Sequence, residues 1–229
     1  MWRRAGPGWP RRGRPQPFGD PRRRARKPAP AALPAIDVLQ LHDPDPAIPI
    51  EESWQTICEL IDEGSVRAGG LSNHPVELLD RALAVGPVSV VQHQYSLLHR
   101  APETDGVLDW CRQHQVPFLA WSPLASGFLA DGFDLAVLTS GDLRRRLRWA
   151  DPAVLDLAAL RRDLAAIAAA AGLSMSGVAA GWALARGALP IIGARTAAEA
   201  GQLAAVKPVP PDVAAAAQTA AEAALTSAR

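Results

Sequence analysis

Residues 36–46 read IDVLQLHDPDP, and how this stretch is taken decides the fold. Its first half is a short apolar run of strand length. His42 closes the run, and the Asp-Pro pairs behind it make a turn. The stretch predicts a strand over residues 37–42 with a histidine at its C-terminal mouth. What precedes it differs in kind: residues 1–34 hold eight prolines and ten Lys or Arg against one acid, Asp20. Such a segment buries too little apolar surface to offset its ordering entropy. It predicts a disordered Arg/Pro-rich arm, 1–34, ahead of one folded unit, 35–229.

The arm distorts the overall charge. The whole chain carries a formal +1, so an arm near +9 leaves about −8 on the remainder. A mildly acidic folded unit gives no general argument for nucleic-acid binding. No apolar run reaches the roughly 18 residues of a membrane span, and no apolar stretch follows the basic start as in a signal peptide. The expectation is a cytoplasmic protein without a membrane or nucleic-acid partner and without a metal site. Cys58 and Cys111 fall on the apolar sides of predicted helices and read as buried thiols of a reducing compartment.

Outward from residue 46, apolar runs alternate with helical stretches. Further strands are expected at 67–73, 89–95, 117–122 and 189–194. Runs such as SVVQ and LPIIG suit strands covered on both faces, as in a parallel sheet. PIEESWQTICELIDEG (49–64) and HPVELLDRALAVG (74–86) each open with Pro and stop at Gly, the grammar of helix ends. RAPETDGVLDWCRQHQ (100–115) supplies a third helix. Ala-rich helices follow near 152–171, 175–186, 197–206 and 211–227. An insertion over 130–151 carries the basic run RRRLR. Repeated strand–helix units predict an α/β fold of about five parallel strands. Neither a Gly-x-Gly-x-x-Gly fingerprint nor a Walker loop follows any strand, which argues against Rossmann and P-loop folds.

Polar residues gather at the strand ends: His42, Ser72 and Asn73, Gln92 to Tyr95, Trp121 and Ser122, and Gly193 to Thr196. In a (β/α)8 barrel those ends share one rim, where active sites are built. The motifs IDVLQLHDPDP, VRAGGLSN, VVQHQYSLLHR, LAWSPLASGFL and LPIIGART, in this order and at these spacings, resemble the aldo-keto reductase family. The resemblance implies a TIM barrel of which these strands are the fourth to the eighth, hence a partial barrel of an N-terminally truncated member. It implies NADPH-dependent reduction of an aldehyde or ketone. His42 corresponds to the histidine that orients the substrate carbonyl. Ser72, Asn73 and Gln92 match the residues holding the nicotinamide carboxamide, and Trp121 the aromatic packed on its ring. Ser122, Leu124 and Gly127 fall in the loop around the pyrophosphate. Gly193 and Arg195 fall in the loop around the adenosine 2'-phosphate. Two positions depart from the family pattern: Gln202 and Leu203 stand where Glu-Asn is common, and His93 stands where Asn is common.

The same resemblance calls for a proton-donating Tyr, a Lys beside it and an Asp paired to the Lys. The chain has one Tyr, Tyr95, in a strand motif where it is not the donor, and two Lys, Lys27 and Lys207, neither at the required place. Impaired reductase activity is therefore expected. Two alternatives stay open: a non-enzymatic nucleotide-binding or regulatory barrel fragment, and the product of a mis-called start or a frameshift. Five strands would also leave two open barrel edges, which invite self-association.

Overall fold

The structure is a computed structural model that describes residues 35–194 and 196–227. The basic arm and Arg195 lie outside the described residues. The strands are β1 (Ile36–Leu41), β2 (Val66–Ser72), β3 (Val90–Gln94), β4 (Phe118–Trp121) and β5 (Ala188–Ile191). All neighbouring pairs are parallel, and the sheet order follows the chain, β1-β2-β3-β4-β5. This is the α/β, half-barrel arrangement expected, with strand ends shifted by one to three residues. Among the described residues, β1 and β5 each have a single neighbour.

The helices are α1 (Ile50–Asp62), α2 (Val76–Val85), α3 (Ala101–Thr104), α4 (Val107–Gln113), α5 (Leu157–Ala170), α6 (Met175–Ala185), α7 (Ala197–Ala204) and α8 (Pro211–Ser227). In α1, Pro49 precedes the first turn, Glu51 and Glu52 face its partial positive charge, and Gly64 ends the run at φ 74°. Trp54 is fully buried and donates its indole N–H to Gly86 O at 3.1 Å, fastening α1 to the end of α2. Two expectations need correction. The single helix over 100–115 divides into α3 and α4, because Gly106 adopts φ 84° between them. The helix expected from 152 begins five residues later, where Asp156 caps α5 by accepting from Ala159 N at 3.0 Å. Within the insertion two short 3-10 turns form, Leu143–Arg146 and Arg148–Ala150.

Adjacent glycines in β2 show how the sheet divides its faces. A Cβ on Gly69 would lie 2.7 Å from Ile57 Cγ2, so this face presses on α1. A Cβ on Gly70 would lie 2.4 Å from Val90 Cγ1 and 2.9 Å from Gln40 Cγ, side chains of the opposite, inner face. By strand alternation the helix-covered face carries Leu71, Val91, Tyr95, Phe118 and Ala120, which form the core with Trp54, Trp110, Trp182 and Leu160, and the buried polar His93 beside them. The inner face carries Gln40, Ser72, Gln92 and Trp121 towards the strand C-termini. At its two edges Ile36, Val38, Leu189 and Ile191 are 46–51% exposed.

Candidate active site at the strand C-termini

Three strand ends are joined through one amide. Asn73, just after β2, accepts from Trp121 Nε1 at 2.9 Å and donates to Asp43 Oδ1 at 2.7 Å and to His42 O at 3.2 Å. Its own N–H reaches Gln92 O at 2.9 Å. Asn73 holds φ 61°, a left-handed conformation that Asn tolerates better than most residues. Both ends of its side chain are thus engaged within the protein. Here Asn73 fixes the Trp121 indole and the Asp43 carboxylate rather than offering a free amide.

The His42 imidazole stands clear of the rim, its side chain 90% exposed, with Nδ1 3.5 Å from the Asp43 carboxylate. Asp43 thereby links the histidine to the Asn73 amide. Sequence reasoning passed over Asp43 as a turn residue. Its adjacency to His42 was the available signal.

Below Trp121 on the inner face lie two polar groups without partners. Ser72 Oγ is buried and makes no hydrogen bond among the described residues. Gln92, paired with Ser72 in the register, accepts at Oε1 from Gln40 Nε2 at 3.0 Å, and no described residue engages its Nε2. An orphaned buried hydroxyl costs about 1–3 kcal/mol unless another molecule pairs with it. A primary carboxamide, with donor and acceptor on one carbon, fits this pair of vacancies. Gln40 was also missed in the sequence. It is the one amide on a strand whose only other polar residue is Asp37, and alternation puts it on the same face as His42.

The loop after β4 concentrates unusual backbone. Ser122, Ala125 and Ser126 have φ of 54°, 49° and 59°, and Gly127 follows at 99°. With Asn73 these make four of the five left-handed non-glycine residues among those described. Each costs about 1–2 kcal/mol, and such outliers collect at ligand sites. The loop is held by Ser122 Oγ accepting from Ser126 N at 2.8 Å and by Leu124 O accepting from Gly127 N at 2.9 Å and Leu129 N at 3.1 Å. Phe128 and Leu129 anchor it in the core. A Cβ on Gly127 would sit 3.7 Å from Arg144 Nη1, so the basic insertion folds back against this loop. The Arg144 guanidinium donates two hydrogen bonds to Asp142 and its backbone N–H a third, which hold that carboxyl down at about 2.

The remaining expected positions lie at the far end of the rim. Gly193 is exposed with open space around it. Thr196 caps α7 by accepting from Glu199 N at 3.1 Å, and Gln202 on that helix is exposed. The one tyrosine is on the wrong face. Tyr95 is fully buried, its ring 5.0 Å from that of Trp182, and its hydroxyl donates to Glu103 Oε1 at 2.6 Å. Burial and that carboxylate push its pKa well up. Lys207 sits in the turn before α8. Among the described residues no group of His, Cys, Asp and Glu could hold a metal, and no single helix is long and apolar enough to cross a membrane.

The aldo/keto reductase family model matches residues 32–220, and the chain belongs to that family of oxidoreductases. It is 34% identical over 109 residues to the probable pyridoxal reductase 2 of Schizosaccharomyces pombe, covering 48% of this chain and 32% of that protein. It is 38% identical over 94 residues to the aldo-keto reductase YhdN of Bacillus subtilis, covering 41% and 28%. The fold resembles that of the glycerol dehydrogenase AKR11B4 of Gluconobacter oxydans, with a TM-score of 0.75 at 25% identity over 84% of this chain and 60% of that one. The matched stretches thus amount to about a third of the curated relatives' length.

Proposed function

We propose that this rim binds a nicotinamide dinucleotide, NADPH, and that the lineage's reaction is reduction of a small aldehyde or ketone. The observation carrying this reading is the pair of unpartnered groups, Ser72 Oγ and the Gln92 amide N–H, on the inner face beneath Trp121. Ser72 and Gln92 would hold the carboxamide, and Trp121, locked by Asn73, would present its indole face to the ring. The loop of Ser122, Leu124 and Gly127 would pass the pyrophosphate. Gly193 would give room beside the 2'-phosphate, for which the Arg195 guanidinium is a suitable partner. When bound, the cofactor supplies hydride. The His42 imidazole donates a hydrogen bond to the carbonyl oxygen and orients it, with Asp43 steadying the ring.

Proton delivery is where the described residues depart from the family's pattern of a Tyr beside a Lys. Tyr95 is committed to Glu103 on the helix side, so solvent must protonate the alkoxide unless another polypeptide segment brings an acid. A positioned acid is worth about 10²–10⁴-fold, and the isolated chain should be slower by that order. Titration of the folded chain with NADPH by calorimetry tests the binding reading: saturable uptake weakened by Trp121→Leu supports it, and no heat from folded protein refutes it. A reduction rate on a nitrobenzaldehyde matching that of the full-length relatives would contradict the slow chemistry.

The edges support a further part of this reading. Ile36 and Val38 on β1, and Leu189 and Ile191 on β5, leave apolar side chains and open backbone at both sheet margins. Two copies joined edge to edge would cover them. Light scattering that reports only monomer at about 100 μM, in the concentration range where exposed edges commonly associate, would count against self-association.

A further inference from the structure

We infer that Gln40 is a positioning residue that fixes which end of the Gln92 amide faces the rim, and that Gly70 exists to let it do so. This rests on the nicotinamide reading of the site. Gln40 and Gln92 are on strands that do not touch, with β2 between them. The register sets Gln40 beside Gly70, and Gly70 beside Val90. Any side chain at position 70 would fill the channel through which Gln40 reaches Gln92, since a Cβ there would lie 2.9 Å from Gln40 Cγ and 2.8 Å from Val90 O. With the channel open, Gln40 Nε2 donates to Gln92 Oε1 at 3.0 Å, and the Gln92 N–H groups are left to the rim.

The polarity of this pair has a physical reason. Gln40 Oε1 is buried without a partner. Turning both amides over would bury an unpartnered NH2 in its place, and orphaned donors are rarer in folded proteins than under-satisfied carbonyls. The arrangement with a donor at the rim is therefore the favoured one. It selects a ligand that offers an acceptor to Gln92. In a carboxamide, that acceptor is its oxygen, with the amide N–H2 left for Ser72.

The experiment compares NADP+ with its 3-acetylpyridine analogue, which keeps the carbonyl oxygen but has no N–H2, by calorimetric titration at about pH 8, where a Glu at position 40 is ionised. Wild type should bind both with a modest difference. Gln40→Glu removes the donor, draws Gln92 Nε2 inward and turns Oε1 to the rim, where it faces the analogue's oxygen. The ratio of the two dissociation constants should rise about tenfold, the order expected for a buried acceptor left unpaired. Gln40→Leu holds neither end and should weaken both ligands with the ratio unchanged. If Gln40→Glu binds with the wild-type ratio, Gln40 does not set polarity and the inference fails, though the cofactor reading survives. If folded wild type binds neither ligand, the cofactor reading fails and takes this inference with it.

Discussion

Replacing His93 with Asn should flatten the acid side of the stability curve. His93 points into the helix-covered layer, its ring 6.1 Å from that of Phe118 and 28° from parallel to it, and Nε2 is buried without a partner. Burial lowers its pKa from 6.5 to about 4, opposed in part by a hydrogen bond to the His74 backbone. The unfolded chain thus takes up a proton before the folded one does. The neutral ring's contribution is complete above about pH 6.5 and is lost as pH falls towards 4. That difference corresponds to about 3 kcal/mol in all, of which about 2 kcal/mol has gone by pH 5. Urea unfolding of wild type and His93→Asn at about pH 7.5, 6 and 5 measures it directly. His74 and His99 are also lowered by burial, so a residual acid limb should persist in the variant. Parallel curves for the two proteins between pH 7.5 and 5 would show that the buried imidazole is not what titrates.

Asn73→Ala should remove about 2 kcal/mol of stability, through three lost side-chain hydrogen bonds at an exposed rim and a left-handed alanine, and should weaken NADPH binding as the Trp121 indole loses its acceptor. Asn73→Gly, which relieves the backbone only, should recover part of the stability and none of the binding. Gly127→Ala has room for its methyl group but not for φ 99°, so chemical denaturation should report a loss of about 1–2 kcal/mol. Burial raises the Cys111 thiol to about 12, and Cys58 is half-buried against Gly86. Dithionitrobenzoate should therefore label Cys58 in the native protein and Cys111 only after denaturant is added.

Much of this molecule is written locally. The apolar runs located all five strands, and the Pro-first, Gly-last pattern located α1 and α2. The Asp105-Gly106 pair was an equally plain stop, but the apolar periodicity across it suggested one continuous helix. Asp156 was likewise a visible cap, hidden by the Ala-rich composition on either side of it. The site divides in the same way. His42, Ser72, Gln92 and Trp121 could be placed at the rim because they end strands. That Asn73 turns its amide to Asp43 and Trp121 depends on how three strand ends converge, and no short window of sequence holds that information. The Gln40–Gln92 bond is further still from view, joining residues 52 apart over the top of the strand that lies between them.

The crowded run of left-handed residues at 122, 125 and 126 has a bearing on engineering. Glycine at 125 and 126 would relax the chain and raise its melting temperature, whereas at 122 it would also remove the oxygen that holds Ser126 N. A search rewarding thermostability alone would find those substitutions early. The loop would then be free to sample many shapes, and whatever it grips would have to re-impose the one that works. Selection for heat resistance and selection for grip pull this short segment in opposite directions.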